Sequence, residues 1–224
     1  MCAKANSGFQ AVFKVLKTSG VLVESDPSIL SLVTIIVGEP IHGSWWGHPK
    51  GNLIYEIENR LVRHRDVLLT KLISGKTTFI HRKLWPAILS IANSNEAWQL
   101  DGLSDEARFL LEVVKKKGEV RTDKISWKTT STTGPKSKGN MMGNAARELE
   151  SRILVYGRPV HTEYGMHAKL LESWDHWSNR VKFNYRENKM PLELAKKKLE
   201  TTLSTIDAHH TGKGSLPWVQ KRSR

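Results

Sequence analysis

The sequence predicts an α+β protein, mainly helical, and three observations carry that prediction. Apolar residues recur at helical spacing in several stretches, as in Ile29, Leu32, Val33, Ile36 and Val37, and again in Leu192, Ala195, Leu199, Leu203 and Ile206. Twice that period gives way to short β-branched and aliphatic runs around turn residues: Val67 to Ile73 with Thr77 to His81, and the segment after Ile153. Between Leu103 and Val181 the order is three helices followed by a β-hairpin. That is the order of a winged helix-turn-helix, in which the third helix lies in the DNA major groove.

Within that segment Ser104 caps an amphipathic helix ending near Gly118, and Val120 to Ile125 is expected to form a second short helix. The third helix starts at Asn140 as its cap, carries Met141, Ala145 and Leu149 on its apolar side, and runs directly into the hairpin. Two turns are possible there, at Gly157-Arg158-Pro159 or at Tyr164-Gly165. The second is preferred, with Gly157 as a bulge. Asn140, Asn144, Arg147, Glu148 and Ser151 are left for the other faces; asparagine suits adenine and arginine suits guanine. Glu148 and Glu150 would repel phosphate, which favours shape or backbone binding over base reading. The loop from Thr129 to Gly139 is rich in hydroxyls and holds Lys136 and Lys138. It is either a phosphate-contacting loop or a solvated surface loop. Lys136, Lys138, Asn140, Asn144, Arg147, Arg158 and His161 are the candidate DNA-binding residues.

Charge supports a polyanionic partner. The 224 residues hold 35 Lys and Arg against 22 Asp and Glu, a net +13. From Lys182 onward there are 10 basic and 4 acidic residues, the highest charge density of the chain. The longest apolar run, Leu30 to Val37, is interrupted by Ser31 and Thr34, so no membrane span is expected. No secretory signal is expected at the N-terminus. Cys2 is the only cysteine, which excludes an internal disulfide and a multi-cysteine zinc site and fits a reducing cytosol. The expected location is cytoplasmic and nucleoid-associated.

The first hundred residues begin with a helix over Ser7 to Lys17, stopped by Ser19-Gly20. Asp26-Pro27 is expected to start the next helix, aspartate as cap and proline in the first turn. The loop Ile41 to Pro49 contains Trp45 and Trp46 between glycines and histidines. Those tryptophans are either an aromatic platform that stacks on a base or two plugs between helices; the second is preferred, because tryptophan carries much buried area. A helix over Asn52 to Arg65 gathers Arg60, Arg63, His64 and Arg65 at its C-terminal end, where they complement the macrodipole or touch phosphate. A hairpin follows, then a helix over Lys83 to Asn93. Gly75-Lys76-Thr77 imitates the end of a P-loop, but Thr70 stands where that motif needs glycine, and strand follows where it needs helix. Three segments result: 1–101, 102–181, and 182–224 with an amphipathic helix and a basic tail that is expected to be disordered from Gly212.

Catalytic and metal motifs are sparse. His161, Glu163 and His167 alternate as strand neighbours and could hold zinc, but a wing is a shallow place for a metal, and no metal or cofactor is assigned. Gly-x-Ser-x-Gly and His-Glu-x-x-His do not occur.

The helix, GSWWGHP loop, helix, VLLTKLISGKTTFIHRKLWPAIL and ELESRILVYGRPVHTEYGMHAKLLESW, in that order, resemble a group of bacterial winged-helix proteins. These are similar in turn to the AlkZ/YcaQ group, DNA glycosylases that remove alkylated or crosslinked bases. The resemblance spans Phe9 to Val181. It implies tandem winged-helix modules with hairpin wings, the first of them in 1–101, and duplex DNA as the partner. Those glycosylases use Gln-x-Gln or Gln-x-Asp. The chain has only Gln10, Gln99 and Gln220, none of them read as part of such a motif, and no catalytic residue is carried over. Besides a non-enzymatic DNA binder, two alternatives stand: a base-flipping repair enzyme with Trp45 or Trp46 near the lesion, and a protein-interaction module whose charge is incidental.

Overall fold

A computed structural model describes residues 2–125, 138–161 and 167–219. The chain divides into two compact units. One comprises residues up to Ser90 together with those from Lys189 onward; the other runs from Ile91 to Asn188.

The first unit opens with α1 (Cys2–Ser19), longer than its periodic core because Ala5 is also buried. Gly20 ends it in a left-handed conformation, donating to Leu16 O at 2.8 Å. Strand β1 (Val21–Val23) follows, then α2 (Leu32–Val37), α3 (Gly51–Val62), β2 (Val67–Lys71) and β3 (Thr77–His81). The strands pair antiparallel in the order β1-β3-β2, with Leu22 opposite Phe79 and Leu69 opposite Phe79 from the other side. Ser74 and Gly75 both take positive φ in the hairpin turn. Val12, Leu16, Leu32, Ile54, Ile57, Leu61 and Phe79 form the core; each fully buried aliphatic contributes about 1.5–3 kcal/mol. Helix α4 (Trp85–Ala92) starts with Pro86 in its first turn and buries Trp85.

Asp26-Pro27 does not start a helix. The Asp26 carboxylate accepts from the backbone of Ser28 at 2.7 Å and of Ile29 at 3.0 Å, closing a local turn, and α2 begins only at Leu32, capped by Ser31. Burial alone would lift the Asp26 carboxyl, but the Lys76 ammonium at 2.5 Å and the Ser28 donors outweigh it and hold it below its usual range. The lysine of the P-loop imitation is thus spent on Asp26, and Thr77 lies in β3.

The second unit contains α5 (Ala97–Leu100), α6 (Asp105–Lys117), β4 (Glu119–Arg121), α7 (Lys138–Ser151), β5 (Tyr156–His161), β6 (His167–Glu172) and α8 (Trp174–Arg180). The sheet order is β4-β6-β5, both pairings antiparallel. Leu110, Leu111, Val114, Ala145, Ala146, Leu149, Val155 and Leu171 make its core. Ser104 caps α6 through Ala107 N at 3.2 Å and Gly118 ends it, as its sequence predicts. Three local expectations fail. Val120 to Ile125 is strand and a 3-10 turn instead of a helix, because Val120 pairs with Leu171. Asn140 lies inside α7, which starts at Lys138. Gly157 is no bulge: Tyr156, Gly157 and Arg158 pair in unbroken register with Glu172, Leu171 and Leu170. A Cβ there would meet the end of the Glu150 side chain, which would have to shift to admit it. The Tyr164-Gly165 turn lies outside the described residues. Ile153 joins α7 to β5 at φ 56, a strained state for a β-branched residue, while its carbonyl accepts from Trp174 Nε1 at 2.8 Å.

The two units share the order helix, strand, helix, two further strands, to which the first adds α2 before α3, and in both the first strand pairs with the third. Helix α9 (Leu192–Asp207) buries Ala195, Leu199, Leu203 and Ile206 within the first unit. The segment after it is ordered through residue 219, against the expectation of disorder from Gly212. Gly212 N donates to Ser28 O at 2.8 Å, Leu216 is buried, and Ser74 N at the tip of the β2–β3 hairpin donates to Ser215 O at 2.8 Å. Among the described residues no helix is long and apolar enough to cross a membrane.

Candidate nucleic-acid interface

Helix α7 separates its residues by chemistry. Met142, Ala145, Ala146 and Leu149 face the core, while Asn144, Arg147 and Ser151 form an exposed row at spacings of three and four. Arg147 Nη2 donates to Asn144 Oδ1 at 2.7 Å and Nε to Gly143 O at 3.3 Å, so the guanidinium lies along the helix surface. The two glutamates read from sequence as repelling phosphate are both engaged. Glu150 is buried and paired with Lys169. Glu148 accepts from Ser104 N at 3.3 Å and Ser104 Oγ at 2.7 Å, with Arg152 at 3.4 Å. The exposed row is therefore more favourable to an anion than the sequence implies.

Arg158 is half-exposed on β5, its Nε 3.8 Å from Glu172 Oε1. Glu172 is fully buried and takes a bidentate pair from Arg180 at 2.8 and 2.9 Å. Of the other candidate DNA-binding residues, Lys138 and Asn140 lie in the first turn of α7, His161 ends β5, and Lys136 is outside the described residues. The same holds for Glu163 of the His161, Glu163, His167 triad. A different trio, Glu119, Glu172 and His176, brings its ligand atoms within 4.8 Å of one another. A cation there would have to displace the Arg180 guanidinium, so the trio is an ion-pair network. Sequence reasoning missed it; the signal was the cross-strand pairing of Glu119 with Glu172.

In the first unit the two adjacent tryptophans part company. Trp45 is 4% exposed and fills the core, whereas Trp46 is 65% exposed. Their rings stack at 4.3 Å with an 18° tilt, and Tyr55 of α3, also exposed, stands 5.8 Å from Trp46. Reading both as plugs is thus correct for Trp45 and wrong for Trp46. The loop is pinned: Gly51 N donates to His48 O at 2.7 Å, and Lys50 Nζ donates to the last carbonyls of α2, Ile36 O and Val37 O. The basic cluster after α3 also divides. Arg60 packs over the Phe9 ring at 4.4 Å and His64 over Phe13 at 4.3 Å, while Arg63 and Arg65 are exposed.

One carboxyl is electrostatically unusual. Burial first, and the nearby Glu24 second, push Glu58 of α3 up to about 7. Gln99-Leu100-Asp101 needs correction as well: it has the Gln-x-Asp spacing that the sequence reading did not assign. Its geometry is structural. Gln99 is fully buried, Oε1 accepts from Ser94 Oγ at 2.9 Å and Glu96 N at 3.1 Å, and Nε2 donates to Arg152 O at 3.2 Å. An amide that is fully buried and hydrogen-bonded at both ends is held as a structural link and is closed to a substrate from solvent.

The model of a family described as AlkZ related matches residues 8–214. No curated protein matches the chain, and no solved structure does.

Proposed function

The chain belongs to the AlkZ-related family, and on that premise we propose that it is a duplex-DNA-binding protein built from two winged helix-turn-helix modules. The observation that carries this reading is the similar order of elements, α1-β1-α2-α3-β2-β3 and, with one helix fewer among the described residues, α6-β4-α7-β5-β6, with the first strand of each sheet paired to the last. In this reading α3 and α7 are the helices offered to the groove, and β2–β3 and β5–β6 are the wings. Asn144 and Arg147 read or position the duplex; Lys136, Lys138, Asn140, Arg158 and His161 dock phosphates around them. The first wing is tied to Ser215, so the second carries the phosphate contacts. Fluorescence anisotropy of a labelled duplex titrated with the protein tests the reading. Binding that weakens linearly in log K with log salt supports it. No shift at low salt would remove it and favour the protein-interaction module.

A second reading, a DNA-repair enzyme of the glycosylase kind, is favoured by one observation. Glu58 has a carboxyl poised near neutrality, the condition for a general acid or base, and it lies three residues from the exposed Tyr55 on the same helix. Incubation with alkylated duplex followed by alkaline treatment decides: strand cleavage that Glu58→Gln abolishes would make the protein an enzyme.

A further inference from the structure

A groove of about 1010 Å³ runs between α1 and α9 in the first unit. Its floor is apolar, made by Val15, Leu30, Leu84 and Ile206. Its rim carries three ammonium groups, Lys14, Lys83 and Lys198, together with the imidazoles of His209 and His210. No carboxylate lies among the described residues that line it. We propose that this groove binds a small anionic amphiphile, one carboxylate or phosphate head among the lysines with an apolar tail along the floor.

Three features choose this occupant. First, cations gather without a counter-charge. Burial, and after it the neighbouring Lys198 ammonium, depress Lys83, and two of its three N–H groups are committed to Lys17 O and Thr18 O, each at 2.7 Å. An anion arriving between Lys83 and Lys198 relieves that repulsion. Second, part of the wall is short of donors: Ser19 Oγ lies within hydrogen-bond distance of Val15 O and Val21 O, and Thr202 and Thr205 donate to Lys198 O and Thr201 O. Thr18 and Thr201 can add neutral donors, and the charge for a ligand head comes from the ammonium groups. Third, the helical residues that line the groove, Ala11 to Ser19 of α1 and Lys198 to Ile206 of α9, extend roughly 12 Å at 1.5 Å per residue. A docking helix requires apolar pockets at successive turns. Here Val15, Leu30, Leu84 and Ile206 share one groove with Lys83 and Lys198, which fits one tail and one head.

The inference stands apart from DNA binding and is measured without DNA. The full chain is titrated by calorimetry with dodecanoate and with dodecyl phosphate, each below its micelle-forming concentration. Dodecanol and dodecyltrimethylammonium serve as uncharged and cationic controls. Saturable binding of one anionic probe per chain, at least about tenfold tighter than either control, supports the proposal. The better of the two anions identifies the head. Lys198→Glu, on the groove's rim, and Thr202→Trp, which fills the groove from α9, should each weaken dodecanoate by about tenfold or more while circular dichroism stays unchanged. Equal binding of dodecanol overturns the proposal, as does indifference to both substitutions. Displacement of dodecanoate by duplex DNA or by an acidic helical peptide at lower concentration than by dodecyl phosphate would assign the groove to a macromolecule and also overturn it.

Discussion

Arg147 donates through Nη2 to the Asn144 side-chain oxygen at 2.7 Å, so the two exposed polar residues of α7 hold each other in place. Neither belongs to the buried row of Met142, Ala145, Ala146 and Leu149. Arg147→Ala and Asn144→Ala are therefore expected to weaken duplex binding with almost no change in thermal midpoint. Because the pair is coupled, the double variant should lose less than the two single losses added, by about 0.5 kcal/mol or more. Leu149→Ala should do the reverse, costing roughly 2–5 kcal/mol of stability because the side chain is fully buried. If Arg147→Ala unfolds the second unit, α7 is a structural helix and its place in the groove is lost.

Phosphate docking has a measurable slope. Each contact released should change the dependence of log K on log salt by about 0.9. Lys138→Ala and Arg158→Ala are each expected to flatten the line by about one such step and to weaken all duplex sequences alike. Arg158 stands only 3.8 Å from the buried Glu172, so its removal leaves that carboxylate to Arg180 and His176. Arg158→Lys separates the two effects: it keeps a charge for phosphate, and a restored slope assigns the loss to docking. A flat salt response of the unsubstituted protein would remove the electrostatic account.

Much of this architecture was legible in the sequence where local chemistry and tertiary packing agree. Ser104 and Gly118 bracket α6, Ser74-Gly75 turns the β2–β3 hairpin, and the stripe from Ala195 to Ile206 predicts α9. It was illegible where a partner distant in sequence decided the outcome. Val120 is a strand residue because Leu171, some fifty positions on, pairs with it. The segment from Gly212 has a polar, basic composition that reads as disorder, yet within its described part, to Val219, Ser28 and Ser74 hydrogen-bond Gly212 and Ser215. No glycine marks the exit from α7, since packing forces Ile153 into a conformation its side chain disfavours. At the candidate site the same rule holds. Asn144 and Arg147 could be placed by periodicity alone, whereas the hydrogen bonds that engage Glu148 come from Ser104, the ion pair of Glu150 comes from Lys169, and the separation of Trp45 from Trp46 depends on the whole first unit.

That separation gives the third prediction. Trp45→Ala should cost about 3–5 kcal/mol, the usual penalty for emptying an aromatic core position. Trp46→Ala removes an exposed ring and should shift stability by roughly 0.5 kcal/mol or less. If Trp46 stacks on a base, its loss lowers affinity by about 1–3 kcal/mol, and by more on a duplex holding an abasic or alkylated position than on an intact one. Equal affinity of Trp46→Ala and the parent protein for every duplex would leave Trp46 a surface residue without a role in binding.

Glu58 supplies the last prediction, and its sign follows from proton linkage. Its carboxyl ordinarily titrates at 4.5 and is raised to about 7 by burial and by Glu24. Between those values the folded protein holds the proton that the unfolded chain has released, so stability falls as pH rises from 4.5 to 7 and the full cost is present above 7. Glu58→Gln keeps the shape and removes the ionisation. The variant should therefore be more stable than the parent above pH 7, by about 1–2 kcal/mol once screening by the remaining solvent contact is allowed for, with the gain vanishing below pH 4.5. Glu24→Gln should reproduce only the smaller part of the gain, because burial, the larger cause, persists. Thermal midpoints of the three proteins at pH 4 and pH 8 measure this directly. A Glu58→Gln protein destabilised equally at both pH values would mean that the carboxylate makes a needed contact, and that the side chain is a structural anion and no reservoir of a near-neutral proton.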